Sequence, residues 1–275
     1  MVVFPNCKIN LGLNILRKRK DCYHDLETVF YPIPLTDALE IIRDTELGIL
    51  PNDLRLTTSG LPIDGNQDNN LCVKAYHLLK KDFPALPAIQ MHLHKVIPMG
   101  AGLGGGSADG AFALKLLNNQ FHLGLSAEQL IAYSLQLGSD CPFFILNKPC
   151  FATGRGEVMD VIDLDLSAYQ FLIVNPQIHI GTGWAFSHIT PAIPKRCVKE
   201  IIQQPIHTWT DALINDFEAP AIAQYPEIGE IKATLYQQGA IYSSMTGSGS
   251  TVFGIFEKGQ TTELFFPKHY FVYRG

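Results

Sequence analysis

Ten consecutive residues concentrate the chemistry of this sequence: Pro98-Met99-Gly100-Ala101-Gly102-Leu103-Gly104-Gly105-Gly106-Ser107. Five glycines fall in seven positions, and each costs conformational entropy on folding, so their density needs a cause. A backbone that must approach a ligand with converging N–H groups supplies one. Ala113, Leu116 and Leu117 follow at helical spacing, which places a helix N-terminus at the loop's end, and its dipole and open N–H groups suit phosphate. A tight turn explains two or three glycines, but not five leading into a helix. Two familiar loop types fail on context. A P-loop ends in Gly-Lys-Ser/Thr, and Gly105-Gly106-Ser107 has no lysine. Gly100, Gly102 and Gly105 satisfy GxGxxG, but the dinucleotide reading requires an acidic residue about 20 positions on. The chain there is Leu123-Gly124-Leu125-Ser126.

A phosphate site becomes a reaction when a proton acceptor and a positive charge join it. Asp140 lies between Gly138, which ends a helix, and Pro142, suited to the N1 position of the next. Taken alone, an aspartate there reads as a helix N-cap. Lys8 falls on the polar face of the first strand, and taken alone it reads as a solvated lysine. His92 and His94 share a strand face at metal-compatible spacing, but no third ligand accompanies them, and strand packing accounts for them better. The basic run Arg17–Lys20 reads as a solvated loop that also helps attract a polyanionic substrate.

Those residues need elements to hold them. Residues 7–15 alternate, with Ile9, Leu11, Leu13 and Ile15 on one face and Lys8, Asn10, Gly12 and Asn14 on the other, which predicts a half-buried strand. The chain turns at Asp21-Cys22-Tyr23-His24, and 28–44 reads as further strand. Pro62 to Asn70 is loop, and Leu71, Ala75, Leu78 and Leu79 mark the apolar side of a helix over 71–81. Residues 89–96 alternate as a strand that runs straight into the glycine loop. Ser126 and Gln129 match a capping box for a helix running to Gly138. Beyond Lys148-Pro149 the pattern restarts: strand from Phe171 to Val174, Pro-rich connector from Pro191 to Pro205, and helices over 211–223 and 227–238. Met245 to Phe256 closes it as strand, Gly-Ser-Gly turn and strand. The length predicts two domains, 1–152 and 153–275.

The string PMGAGLGGGSADGA (98–111) closely resembles the phosphate loop of the GHMP kinase superfamily. Further segments match in family order. CKINLGLNILRKRKDCYHDLETVF, from Cys7, resembles the opening strand and its Asp-Gly-Tyr-His turn, with Cys22 where glycine is usual. GSDCPFF (138–144) resembles the catalytic Asp-x-Pro-Phe-Phe segment, and MTGSGSTVFGIF (245–256) a glycine turn that lies beside the phosphate loop. Asn215-Asp216-Phe217-Glu218 fits a common family helix. The matches span nearly the whole chain.

The resemblance implies an α+β, two-domain fold: an N-terminal domain like domain 2 of ribosomal protein S5, a ferredoxin-like α/β C-terminal domain, and an active site in the cleft. It implies ATP with Mg²⁺, the nucleotide held by Pro98 through Ser107, Ala108, Asn70 and Lys95, with the Ser107 hydroxyl on a phosphate or Mg²⁺. Asp140 is implied as general base, with Lys8 as the cation that keeps it ionised and balances charge on the phosphoryl group. The GLGGGS form looks most like the branch that phosphorylates the 2-hydroxyl of 4-diphosphocytidyl-2-C-methyl-D-erythritol, in non-mevalonate isoprenoid synthesis. On that basis Tyr23 stacks on the cytosine, His24 hydrogen-bonds it, and Phe186, four residues after Thr182, opposes Tyr23, with Trp184 as a competing candidate. Asn10 contacts the substrate.

Gross composition narrows the rivals. A net charge of −5 and a pI near 6.0 disfavour a nucleic-acid or anionic-membrane surface. No run approaches the roughly 20 apolar residues of a membrane span. The start MVVFPNCKIN lacks the pattern of a secretory signal, and the six scattered cysteines read as free thiols of a cytoplasmic protein, a monomer or homodimer. The rival readings are a homoserine, mevalonate or sugar kinase of the same superfamily, an RNA-binding module, and an inactive ATP-binding relative.

Overall fold

The structure, a computed structural model, describes residues 1–44, 53–260 and 266–275. The chain opens with strands β1 (Val2–Val3), β2 (Asn6–Lys18), β3 (His24–Thr36) and β4 (Ala38–Arg43). Strand β5 (Leu54–Gly60) and helix α1 (Leu71–Asp82) precede β6 (Ile89–Lys95). Helices α2 (Gly105–Gln120), α3 (Ala127–Leu137) and α4 (Cys141–Leu146) follow the glycine loop. Next come β7 (Cys150–Thr153), β8 (Val158–Val161), β9 (Tyr169–Asn175) and the short helices α5 (Thr182–Ser187) and α6 (Val198–Ile201). Helices α7 (Glu218–Gln224) and α8 (Pro226–Gln237) lead to β10 (Tyr242–Met245), β11 (Val252–Glu257) and β12 (Phe271–Arg274).

These elements form two compact units, each drawn from separated stretches of chain. The first comprises Met1–Cys7, Pro34–Met99 and Gly104–Asn147; the second comprises Lys8–Ile33, Gly100–Leu103 and Lys148–Gly275. In the first unit a sheet of order β1-β4-β6-β5 pairs β6 parallel to β5 and antiparallel to β4. Helix α2 lies against α1, α3 and α4. Ser126 caps α3 through the reciprocal box with Gln129 that its spacing predicts. In the second unit β10-β11-β9-β12 is wholly antiparallel, with Leu172, Val174, Ile228, Leu235, Met245 and Phe256 in its core. The remaining sheet, β2-β3-β7-β8, presents the turn after β2 beside the β7–β8 hairpin.

Three segments depart from the sequence pattern, each for a nameable reason. Strand β2 is buried on both faces rather than one: Lys8, Asn10 and Asn14 are 3%, 2% and 8% exposed. Their polar groups find internal partners, Asn14 bonding Glu27 at 3.0 Å, so alternation of type does not produce alternation of exposure. The 211–223 segment is helical only from Glu218, because Asn215 bridges Leu13 and donates to the carbonyls of Met245 (2.7 Å) and Gly247 (2.9 Å). Those bonds, with Asp216 accepting from the Ile15 N–H at 2.7 Å, hold the preceding residues extended against β2. The connector from 191 to 205 contains α6, whose first N–H is taken by Glu27 at 2.9 Å.

The turn at Asp21–His24 keeps the backbone that the resembled Asp-Gly-Tyr-His turn asks of glycine. Cys22 sits at φ 67°, in the left-handed region that costs a side-chain-bearing residue about 1–2 kcal/mol. Its side chain is exposed, so no packing offsets that strain. Replacing it should therefore help. Cys22→Gly is expected to raise stability by roughly 0.5–1 kcal/mol after the entropy of the freer unfolded chain is counted, and Cys22→Val to lower it. Urea midpoints decide this, and a lower midpoint for Cys22→Gly rejects the account.

Candidate active site

In the first unit the glycine loop is approached along β6. Its alternation carries Lys95 onto the buried face beside Ile89, Met91 and Leu93, where the ammonium has no exposed surface. A charge so placed requires partners. Asp37, between β3 and β4, bonds it through Oδ2, and Asp109 on α2 lies 2.7 Å away through its own Oδ2. The second oxygen of Asp37 accepts from the N–H groups of Val96 (2.6 Å) and Ile97 (2.8 Å), the residues leading into the loop. At the loop's far end, a Cβ on Gly105 would lie 2.8 Å from Ile97 Cγ2 and 3.0 Å from Lys95 Nζ. Glycine is required there by contact. One buried triad thus sets both where the loop leaves the sheet and where α2 begins.

The electrostatics of the triad are uneven. Burial pulls the Lys95 ammonium down, but Asp109 and Asp37 outweigh it and hold it above its ordinary value. Burial, joined by the charge of Asp37, pushes the Asp109 carboxyl up to about 7 against the pull of Lys95. Its Oδ1 is buried with no hydrogen-bond partner among the described residues.

Helix α2 begins after Gly104, which has φ 71° and no side chain to cap it, so the N–H groups of Gly105, Gly106 and Ser107 are not taken by a capping group. Gly106 has open space on its Cβ side, with Met99 Cε nearest at 3.9 Å. The Ser107 side chain bonds the Cys141 thiol, which burial pushes up to about 12. That bond ties the first turn of α2 to α4 and places Asp140, the preceding residue, beside α2. Asp140 has helical backbone angles (φ −84°, ψ −16°), and its side chain makes no capping bond, so the N-cap reading does not hold. Cys141 takes the N1 position expected of Pro142, which follows it. Asn70 caps α1, its Oδ1 accepting from Cys72 N–H at 2.9 Å. The rings of His92 and His94 are used by hydroxyls of β5, Thr57 Oγ1 at 2.8 Å and Ser59 Oγ at 2.9 Å.

In the second unit Lys8 stands under the middle of the loop. Its backbone N–H donates to Leu103 O at 3.0 Å, and its Nζ reaches Asn10 Oδ1 at 2.6 Å and Gly102 O at 3.1 Å. Asn10 is held in turn by Thr28 (3.0 Å) and by Thr246, whose Oγ1 accepts from its backbone N–H at 2.9 Å. The turn after β10 closes on the loop so tightly that a Cβ on Gly102 would lie 2.1 Å from Thr246 O. This is the packing that the resemblance of 245–256 implies. Sequence reasoning passed over Thr28, Thr246, Asp37 and Asp109; only Asp109, an acid inside a run of small residues, carried a visible signal.

The aromatic residues named for the cytosine also lie in the second unit. His24 stacks directly on Phe186, centroids 4.7 Å apart at 15°, while Phe217 meets Phe186 edge-on. Burial holds the His24 imidazole below its ordinary value, with Lys18 adding to the effect. Tyr23 is 55% exposed. Trp184 is engaged with His188 (4.2 Å) and Tyr225 (6.2 Å), and Thr182 opens α5 at the surface.

With this geometry in place, comparison with known proteins is direct. The pattern described as GHMP kinases N terminal domain matches residues 70–148, and that of GHMP kinases C terminal matches 199–265. The chain belongs to the GHMP kinases, a family of ATP-using small-molecule kinases. A Bacteroides thetaiotaomicron protein named 4-diphosphocytidyl-2-C-methyl-D-erythritol kinase is 51% identical, over 100% of this chain and 99% of its own. The protein of that name from Bacteroides fragilis is 54% identical over 93% of this chain and 92% of its own. A crystal structure described as 4-(cytidine 5'-diphospho)-2C-methyl-D-erythritol kinase superposes with a TM-score of 0.78 at 29% identity, covering 93% of this chain and 90% of that one.

The triad has a signature in pH. Asp109 binds its proton more tightly folded than unfolded, so between its ordinary value near 3.8 and about 7 the folded state holds more protons and stability falls as pH rises. Asp109→Asn should flatten that slope in urea midpoints measured at pH 5 and 7.5; a slope equal to the parent's rejects the assignment. Lys95→Met, which strands two carboxylates, should cost about 3–5 kcal/mol.

Proposed function

We propose that this chain transfers the terminal phosphoryl group of ATP to the 2-hydroxyl of 4-diphosphocytidyl-2-C-methyl-D-erythritol, a step of non-mevalonate isoprenoid synthesis. The observation that carries the reading is 51% identity along the entire chain to a protein named for that substrate. The nucleotide's phosphates lie over the free N–H groups of Gly105, Gly106 and Ser107, where the α2 dipole adds to them. Asp140 accepts the hydroxyl proton as the new P–O bond forms. Lys8, oriented by Asn10 and Gly102, supplies positive charge to the oxygens of the moving group. Tyr23, His24 and Phe186 recognise the cytosine, and Asn10 and Thr182 the remainder of the alcohol.

Among the described residues no cluster of three His, Cys, Asp or Glu side chains stands ready for a metal. Mg²⁺ suits this donor set as the nucleotide's own counter-ion, since it is commonly held by phosphate oxygens and few protein groups. It supplies charge neutralisation when bound. All six cysteines are free, and no helix among the described residues is long and apolar enough to cross a membrane. These features accord with a cytoplasmic enzyme.

Turnover of ATP with the cytidyl alcohol, beside homoserine, mevalonate and galactose, tests the substrate. A rate with any of the other three equal to that with the cytidyl alcohol sinks the reading. Within it, Lys8→Ala and Asp140→Asn are each expected to lower kcat by about a hundredfold to ten-thousandfold while ATP binding survives. Near-parental turnover in Asp140→Asn removes it as the base.

A further inference from the structure

The turn joining β7 to β8 delivers a residue to the aromatic corner that the sequence motifs do not mark. Leu26, two residues beyond His24, donates its N–H to Gly154 O at 2.7 Å, which fixes this turn beside Tyr23. Glu157 then holds Arg155 at two points: it accepts from the Arg155 backbone N–H, and its Oε1 lies 3.3 Å from the side-chain Nε. Gly154, at φ 69°, leaves room for that carboxylate, since a Cβ there would lie 2.8 Å from Glu157 Oε2. So anchored, the Arg155 guanidinium sits 4.8 Å from the centroid of the Tyr23 ring.

The arrangement is asymmetric in a useful way. The guanidinium covers the ring, yet Tyr23 remains 55% exposed, so surface is left for a second planar group. Arg17 and Arg19, close in sequence, are committed to Asp21 and Asp25. Arg155 spends only Nε on Glu157, and no acceptor engages its Nη groups among the described residues. A planar fork of donors with that orientation matches phosphate oxygens. A base stacked on Tyr23 carries its 5′ diphosphate within reach of a cation on the same ring.

We infer that Arg155 is a specificity-determining residue, its guanidinium backing Tyr23 and its free Nη donors meeting the diphosphate of a base-stacked nucleoside diphosphate substrate. The inference rests on the cytidyl reading above. Nothing in the glycine loop or the Lys8 network requires it. It explains why the turn is stiffened by Glu157 rather than left as a plain hairpin connection: an unanchored arginine loses rotamer freedom on binding, whereas this one is already ordered.

The test uses the full chain and takes equilibrium binding as its main readout, with the KM for ATP beside it. Cytidine diphosphate and cytidine are titrated into the parent, Arg155→Ala, Arg155→Lys and Glu157→Gln, with thermal melting of each as the folding control. Arg155→Ala should weaken cytidine diphosphate about tenfold and cytidine no more than about threefold, the stacking share. Arg155→Lys should restore part of the diphosphate affinity through charge alone, and Glu157→Gln should lose less than Arg155→Ala. The KM for ATP should stay at its parental value in all three. Equal losses for both ligands, or none, overturn the assignment, as does a raised KM for ATP. Should Arg155→Ala melt early, Glu157→Gln and Arg155→Lys decide by the same comparison. A parent that binds neither cytidine ligand yet phosphorylates another alcohol overturns the substrate reading itself, a result distinct from any difference among variants.

Discussion

An ammonium group with no access to water, such as that of Lys95, is tolerated only where its attraction to fixed partners offsets lost hydration. Asp37 and Asp109 provide those partners, and the cost of the arrangement explains its use. Three charged groups cannot be packed as loosely as three leucines, because displacement of any one strands the other two. They therefore fix the strand corner before β4, the end of β6 and the second turn of α2 to one another. Everything the first unit offers a nucleotide depends on that join. The phosphate-binding role proposed for the open N–H groups of α2 requires a fixed helix start, and the contact between Gly105 and Lys95 sets that position.

The second unit meets a similar problem with neutral groups among the partners of a buried lysine. Lys8 is as buried as a core residue, yet its ammonium is held by an amide and a carbonyl, Asn10 Oδ1 and Gly102 O. Asn10 and Gly102 fix the direction of the ammonium, which suits the charge-supplying role proposed for Lys8. Thr246 ties Asn10 and the loop backbone into the same network, so the turn after β10 shapes the site although it carries no ionisable group there.

How far this was legible follows from the kind of signal each residue leaves. The glycine loop announces itself by density, and the capping box of α3 by spacing, because both are local requirements of the backbone. Lys8 and Lys95 lie on alternating strands, and alternation predicts the face of each but misses the burial of Lys8, which falls on the polar one. Lys95 falls on the apolar face by parity, and parity could have named it as buried; its partners, 58 positions before and 14 after, have no local mark. The extended stretch before α7 carries no local mark, and the sequence pattern predicts helix over 211–223. The Asp216 side chain instead bonds Ile15, two hundred positions earlier in sequence, and that of Asn215 bonds the carbonyls of Met245 and Gly247, and such tertiary ties override propensity.

The division of labour between the two sets of residues explains why the loop resembles a whole family while the aromatic corner narrows the substrate. Backbone N–H groups and a helix end suit phosphate in general, and that chemistry is indifferent to which alcohol waits nearby. In the function proposed, discrimination falls on side chains at turns: Tyr23 and His24 after β2, Phe186 on α5, and the hairpin residues 154–157. Turns of this kind can change residue type without disturbing a sheet. Cys22 shows the limit of that freedom, since it keeps a glycine-like backbone at φ 67° despite bearing a side chain. The strain is tolerated because the backbone path there is set by its neighbours, Arg19 N–H donating to Tyr23 O at 2.8 Å and Asp21 accepting from Tyr23 N–H at 3.2 Å. The geometry that presents Tyr23 is thus specified by bonds around residue 22, and residue 22 itself only has to endure it.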